Sequence, residues 1–387
     1  MLPLLTQGGG AEKYFTNLAR NLSNKGYKTD VITMNESFFK IFARLLHIFT
    51  HGNFFRKIDI SGRETEIVVK NRLGNSNWIK SSFINLRKVL GQYDIIYSKN
   101  EIVDLLLLKL IGYRKLPPII IGVHTSIFYP NTKSFNSKLH NFLYLSSFYK
   151  WLLRGARCIH LSNKFTKNLV DEKFDIKSEL IYYPFSLNEI TAAIKNVKSP
   201  MEFNPHKKNI AFVGRLAEQK GIASLVNIIE RIAKKEKINK KIVFNIFGSG
   251  DKKNEKIIND LQKKYFFVKW HGHIENKYIL KILSQQDLFI STAKWETLPF
   301  NILEAQVVGL PVIAFSIPGP KDIIINGTTG LLVNDDLEFC SEIEDCILGR
   351  KVFDSKVITD NIKEKFSSEK IYSEIIAMFQ KYLTDWK

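Results

Sequence analysis

Two glutamates eight residues apart carry the strongest chemical signal in this sequence. They lie in Trp295-Glu296-Thr297-Leu298-Pro299-Phe300-Asn301-Ile302-Leu303-Glu304-Ala305, directly after an apolar run that reads as a strand. Pro299 suits the first position of a helix, where its missing N–H would have had no intrahelical partner. That placement puts Glu296 in the loop at the strand's carboxyl end and Glu304 about a turn and a half inside the helix. The free N–H groups near Leu298, Pro299 and Phe300 then form an anion site favoured by the helix dipole. Two carboxylates flanking an anion site suit a ligand with hydroxyls at both ends and phosphates between. A nucleoside diphosphate sugar is such a ligand. Spacing alone allows a plainer alternative, in which Glu296 is a helix-terminal charge and Glu304 a solvated one.

Phe212-Val213-Gly214-Arg215-Leu216-Ala217-Glu218-Gln219-Lys220-Gly221 adds two cations. A strand ends at Gly214, Arg215 follows it, and Lys220 and Gly221 open a helix. Arg offers a two-pronged fork for phosphate and Lys a compact charge, so the pair could offset a developing diphosphate without a metal. Gln7-Gly8-Gly9-Gly10-Ala11-Glu12-Lys13 is a glycine loop leading into a helix, where backbone N–H groups at Gly9 and Gly10 could approach a phosphate. It is neither a P-loop nor a GxGxxG fingerprint. His124 directly follows the strand Ile119–Val123, where α/β proteins place their chemistry, although most histidines near a strand end are structural.

These residues need a scaffold that gathers strand ends. From Asn209 onward, β-branched runs at Ile210–Val213, Ile242–Phe247, Phe267–Trp270, Leu288–Ser291, Pro311–Ala314 and Leu331–Val333 alternate with amphipathic stretches. That alternation predicts a parallel sheet with helices on both faces and ligands at the carboxyl ends of its strands. The first half repeats the habit less cleanly, with a helix at Ala11–Asn24 and strands at Thr29–Thr33, Glu66–Val69, Asp94–Tyr97, Ile119–Val123, Cys158–Leu161 and Leu180–Tyr182. Patterning weakens around Ser186–Pro205, which reads as the linker. Only Met1–Thr6 precede the glycine loop, so the first strand is either a stub or begins upstream of Met1.

At 387 residues with 45% hydrophobic content, the chain is long enough for two cores and is not disordered. Its net charge of +19 admits nucleic acid, an anionic membrane surface or phosphorylated small molecules as partners. Residues 1–190 hold 27 Lys and Arg against 14 Asp and Glu, and the remainder 30 against 24. The first half also contains two stretches, Ser37–Phe55 and Phe135–Leu153, that mix aromatic and basic residues as interfacial helices do, or as core helices with a wet basic face do. The three cysteines, Cys158, Cys340 and Cys346, are scattered, which fits a reduced cytosolic protein and argues against structural zinc. The N-terminus does not read as a secretory signal, and no apolar run is long enough to span a bilayer. There is no HExxH, GxSxG or protein-kinase set, no Asp-x-Asp triplet, and no RNA-binding or zinc-finger signature, which speaks against a nucleic-acid partner.

Taken together the segments resemble the retaining glycosyltransferases of family 4. The resemblance is specific from about Asn209 to Val333, through FVGRLAEQKG, FGSGD, WETLPFNILEA, GLPVIAF and PGPKDIIINGTTGLLV. GGGAEKYFTNLARNLSNKGYKTDVIT resembles the family's opening glycine loop and helix, and between about Met34 and Pro205 the match thins to His124 and the strand pattern.

The resemblance implies a GT-B α/β fold: two Rossmann-like, doubly wound parallel-sheet domains facing a central cleft. Residues 1–190 would bind acceptor, with a first strand that looks truncated. Residues 191–365 would bind the nucleotide sugar, and 366–387 would form helices crossing back to the first domain. Arg215 and Lys220 would hold the diphosphate, and Glu304 the ribose. Glu296 would hold donor-sugar hydroxyls with help from the N–H groups after it, Gly9 and Gly10 would approach the phosphate, and His124 would lie near the reacting sugar. No metal or other cofactor is expected. The implied activity is transfer of a hexosyl group, with retention, from a nucleotide diphosphate sugar to a glycan acceptor, lipid-linked, in surface polysaccharide or glycoconjugate synthesis. Its expected setting is the cytoplasm, peripheral on an anionic membrane. A sugar-nucleotide epimerase on the same fold and a non-catalytic membrane-surface adaptor are the alternatives.

Overall fold

The computed structural model describes residues 2–3, 10–34, 53–59, 76–80, 83–124, 126–129, 135–184, 194 and 196–384. Its chain divides into two units, residues 1–183 with 371–387, and residues 184–370.

The second unit holds one six-stranded sheet: β9 (Lys208–Val213), β10 (Ile242–Phe247), β11 (Val268–Trp270), β12 (Leu288–Ser291), β13 (Val312–Phe315) and β14 (Gly330–Val333). Every pairing is parallel, and the spatial order is β11-β10-β9-β12-β13-β14. Counted from β9 this is 3-2-1-4-5-6, so the direction of winding reverses between β9 and β12. Ligands on such sheets sit at the carboxyl ends beside that reversal. Most of these strands are almost unbroken apolar runs because helices cover both faces; β10 and β12 are buried throughout. Asn245, the polar exception in β10, donates through Nδ2 to Asn209 Oδ1 at 3.2 Å and to Gln286 Oε1 at 3.1 Å. A buried amide is tolerated only when so satisfied. Ile228 and Ile229 of the Ile222–Ala233 helix share one core with Ile210, Phe244 and Phe339.

The first unit contains two four-stranded sheets. In one, β1 (Leu2–Pro3) pairs parallel with β2 (Asp30–Met34), while β3 (Asn53–Asp59) and β4 (Ser76–Lys80) add antiparallel. In the other, β5 (Ile96–Lys99), β6 (Ile119–Val123), β7 (Cys158–Leu161) and β8 (Ser178–Leu180) run parallel in chain order. Helices Ile102–Ile111 and Ser147–Leu153 bury Leu105, Leu108 and Leu152 against this second sheet.

Both units are thus α/β with parallel sheets, as expected, and the first departs from the plan in its two antiparallel strands. Among the described residues the first strand is Leu2–Pro3, held by the pairs Leu2↔Thr33 and Pro3↔Met34. The strand expected at Asp94–Tyr97 lies two residues later, and the one expected at Glu66–Val69 falls outside the described residues. Of Ser37–Phe55, only residues 53–55 are described, and they open β3 rather than a helix. Phe135–Leu153 forms two helices, Phe135–Tyr144 and Ser147–Leu153; Ser146 caps the second by accepting from Tyr149 N at 3.2 Å. In the final helix, Ser368–Thr384, Lys381 Nζ lies 2.6 Å from Glu179 Oε1 and the Tyr382 hydroxyl donates to the same oxygen at 3.2 Å.

Candidate functional site

The carboxyl end of β9 turns at Gly214 and Arg215 into the short turn Glu218–Lys220, which leads into the Ile222–Ala233 helix. That turn is laced to the loop after β12. Thr292 Oγ1 donates to Lys220 O at 2.8 Å, Lys294 N to Gln219 O at 2.8 Å, and Gln219 Nε2 to Trp295 O at 3.3 Å. Gly221 makes the approach possible. Its φ is +66°, and a Cβ there would lie 1.8 Å from Thr292 O.

This lacing brings two of the expected residues together. Lys220 Nζ is 2.5 Å from Glu296 Oε1, and both side chains are largely buried, at 18% and 10% exposure. Arg215 is exposed and makes no ion pair among the described residues. It lines a cleft of about 670 Å³ together with Gly214, Ser249, Gly250, Asp251, Asn276 and the half-buried Glu304. One side of that cleft is fixed where Leu216 N donates to Ser249 O at 2.8 Å. Lys220 and Glu296 are not among its lining residues. The four charged residues expected at the donor therefore occupy two adjoining places: Arg215 and Glu304 on the cleft, Lys220 and Glu296 paired beside it.

Pro299 is not the first helical residue but the N-cap of the Phe300–Val307 helix, with φ −76° and an extended ψ of 108°. Its ring stiffens the approach, and its carbonyl accepts from Ile302 N at 3.1 Å and Leu303 N at 3.3 Å. Among the described residues, Leu298 N–H has no partner. Asn301, which the sequence reading passed over, donates through Nδ2 to Val213 O at 2.8 Å and ties this helix to the end of β9. Glu304 is the fifth residue of the helix.

In the first unit, Gly10 is the first residue of the Gly10–Asn24 helix, and Gly9 lies outside the described residues. His124 follows β6, and neither of its ring nitrogens is free. Nε2 lies 3.0 Å from Tyr97 Oη and Nδ1 2.9 Å from Tyr183 Oη. Tyr183 stacks on the ring at 5.3 Å and Tyr14 tilts against it at 4.4 Å between centroids. Burial, then the neighbouring His160 and Lys99, hold its pKa well below the ordinary histidine range. His124 is therefore a neutral, hydrogen-bonded ring rather than a free acid or base. Tyr97, His160 and Tyr183, its partners, were not singled out from the sequence; nothing in the spacing of residues 97, 124, 160 and 183 marks them as neighbours. Among the described residues, no group of three or more His, Cys, Asp or Glu side chains is arranged to hold a metal ion, and no helix is long and apolar enough to cross a membrane.

Two family profiles match the chain, "Glycosyltransferase Family 4" over residues 8–187 and "Glycosyl transferases group 1" over residues 207–348. The UDP-Gal:alpha-D-GlcNAc-diphosphoundecaprenol alpha-1,3-galactosyltransferase of Escherichia coli is 29% identical over 312 residues, 75% of this chain and 74% of that protein. Among solved structures, HepE of Anabaena in complex with UDP superposes with a TM-score of 0.67 at 16% identity, covering 98% of both chains. Sucrose-phosphate synthase of Thermosynechococcus elongatus does so with a TM-score of 0.69, covering 97% and 94%. These likenesses place the fold in the GT-B class.

Proposed function

This chain belongs to the group 1 glycosyltransferases, and we propose that residues 184–370 hold a nucleoside diphosphate sugar whose sugar passes, with retention, to a glycan acceptor bound by the first unit. The observation that carries this reading is Arg215 and Glu304 on one cleft at the carboxyl ends of β9 and β10, beside the strand-order reversal. Arg215 contributes a fork for phosphate and Glu304 an acceptor for ribose hydroxyls. Lys220 adds the second positive charge and Glu296 binds sugar hydroxyls; with the Leu298 N–H beside them they flank the diphosphate. No metal or other cofactor is needed in this scheme, because the two cations stabilise the charge that develops on the leaving diphosphate.

Attack occurs on the face that the diphosphate leaves. The leaving diphosphate oxygen takes the acceptor's proton, so no separate carboxylate nucleophile is required. In this reading the acceptor is lipid-linked and the product a surface polysaccharide or glycoconjugate. The name of the Escherichia coli relative, which specifies a diphosphoundecaprenol acceptor, supports that part. So does the first unit's surface. Phe135 and Phe142 are 77% and 72% exposed, Leu139, Phe148 and Trp151 are exposed beside them, and Lys109 Nζ lies 5.0 Å over the Trp151 ring. Aromatic side chains interleaved with cations suit the interface of an anionic membrane, which would place the enzyme on its cytoplasmic face.

The test is turnover of UDP-, GDP- and ADP-sugars with lipid-linked and free acceptors. Transfer that requires acceptor and keeps the donor's anomeric configuration supports the proposal. Conversion of donor without acceptor would favour an epimerase instead.

A further inference from the structure

Tyr97 Oη is shared between His160 of β7 and His124 just after β6, at 2.6 Å from His160 Nδ1 and 3.0 Å from His124 Nε2, with Tyr14 Oη at 3.4 Å. The remaining nitrogen of His160, Nε2, lies 2.8 Å from the backbone carbonyl of Ile181. A carbonyl can only accept, so His160 Nε2 carries a proton and donates it. His160 is 1% exposed, and burial pushes its pKa down to about 4, so its other nitrogen is bare. The Tyr97 hydroxyl must therefore donate to His160 Nδ1. Having one proton, Tyr97 can only accept from its other neighbours, Tyr14 and His124, so His124 Nε2 carries a proton too. A neutral His124 then has a bare Nδ1, to which the Tyr183 hydroxyl donates. The chain of donors has one direction: Tyr183 to His124, His124 to Tyr97, Tyr97 to His160, His160 to Ile181 O.

The backbone is shaped around this chain. Gly122 lies in β6 two residues before His124, on the same face and opposite His160 in register. A Cβ there would be 2.2 Å from Tyr97 Oη and 2.5 Å from His124 Nε2. Any side chain at that position would break the bridge, so glycine is the residue the bridge requires.

We propose that Tyr97 and His160 are positioning residues that fix His124 as its Nε2–H tautomer, a neutral ring whose bare Nδ1 accepts from the Tyr183 hydroxyl. Its bearing on transfer rests on the family resemblance, which implies that His124 lies near the reacting sugar. Neither Tyr97 nor His160 touches substrate in this scheme; both act through the imidazole, as a carboxylate behind a catalytic histidine fixes its tautomer.

The experiment is long-range ¹H–¹⁵N correlation spectroscopy on the full chain with ¹⁵N-labelled histidine at neutral pH, the His124 signals being assigned by their loss in His124→Gln. Wild-type protein should show His124 and His160 both protonated at Nε2. Tyr97→Phe, which removes only the bridging oxygen, should shift His124 to a mixture of tautomers. His160→Gln should leave the His124 pattern intact, because an amide accepts from Tyr97 and donates to Ile181 O as the imidazole did. His124 protonated at Nδ1 in the wild type, or unchanged by Tyr97→Phe in a variant that melts like the parent, overturns the proposal. In the transfer assay Tyr97→Phe should lower kcat about tenfold with donor KM held within about twofold. His160→Gln should keep kcat within about twofold. The tautomers are read without turnover, so a chain showing both of them but transferring no sugar contradicts the transferase reading and leaves the tautomer assignment standing.

Discussion

Lys220 and Glu296 form an ion pair of 2.5 Å between two loops that leave adjacent strands of the sheet at its reversal point. Neither loop brings its residue there alone. The pair exists because Thr292, Lys294 and Gln219 bind the two loops together through hydrogen bonds to backbone carbonyls. The ammonium that would face a diphosphate is thus held in place before any ligand binds, which is what electrostatic preorganisation requires.

Lys220→Ala should lower kcat on the order of 10²–10³-fold, the effect of removing one preorganised donor. A variant within about threefold of wild type would refute the role. The same change should cost about 1–3 kcal/mol of stability, since it strands a mostly buried carboxylate. Lys220→Met combined with Glu296→Leu should recover most of that stability and none of the activity, as read by urea unfolding and turnover.

Gly221→Ala should destabilise the protein by more than about 2 kcal/mol, because its Cβ would meet the Thr292 carbonyl as well as straining a positive φ. Gly327, at φ +79° with open space around it, should lose only about 1 kcal/mol on the same substitution. Equal midpoint shifts in urea for the two variants would contradict the close approach of the loops.

Replacing Phe135, Phe142 and Trp151 together by Ser should weaken binding to anionic vesicles without changing the melting temperature, since all three are exposed. Raising salt should weaken it further, each nearby basic residue contributing about 1 kcal/mol at low ionic strength. Full vesicle binding by the triple variant would move the membrane surface elsewhere.

Stability should fall in mild acid. Burial pushes His160 and His271 down to about 4 in the folded protein, against an ordinary histidine near 6.5. Below pH 6.5 the unfolded chain takes up protons that the folded chain does not. The stabilisation is complete above that pH and is lost progressively down to about pH 4, at up to about 1.4 kcal/mol per pH unit for each histidine. Urea midpoints at pH 7.5, 6 and 5 should decline, and less steeply in His160→Gln. A flat profile would show that the two rings are not buried as neutral bases.

The second unit was legible in the sequence because most of its strands are buried on both faces and so appear as apolar runs, and the loops after β9 and β12 carry Arg215 and Glu296. One misplaced detail, Pro299, moved by a single residue because an extended backbone at Pro299 delays the helix to Phe300. The first unit was harder. Strands β3 and β4 gain their order from pairing with β2 and with each other rather than from their own residues. His124 was found from its place after a strand, but its role as a neutral ring was not. Tyr97, His160 and Tyr183 meet it only once β5, β6 and β7 lie in parallel register and the chain passes Leu180.

We expect residues 184–370 to form a nucleoside diphosphate site on Arg215 and Glu304. Calorimetric titration of the full chain with UDP, GDP and ADP tests it most directly. At least one of the three should bind, and Arg215→Ala and Glu304→Ala should each weaken that binding about tenfold or more while leaving the melting temperature unchanged. Absence of binding for all three, or binding that neither substitution alters, would contradict it.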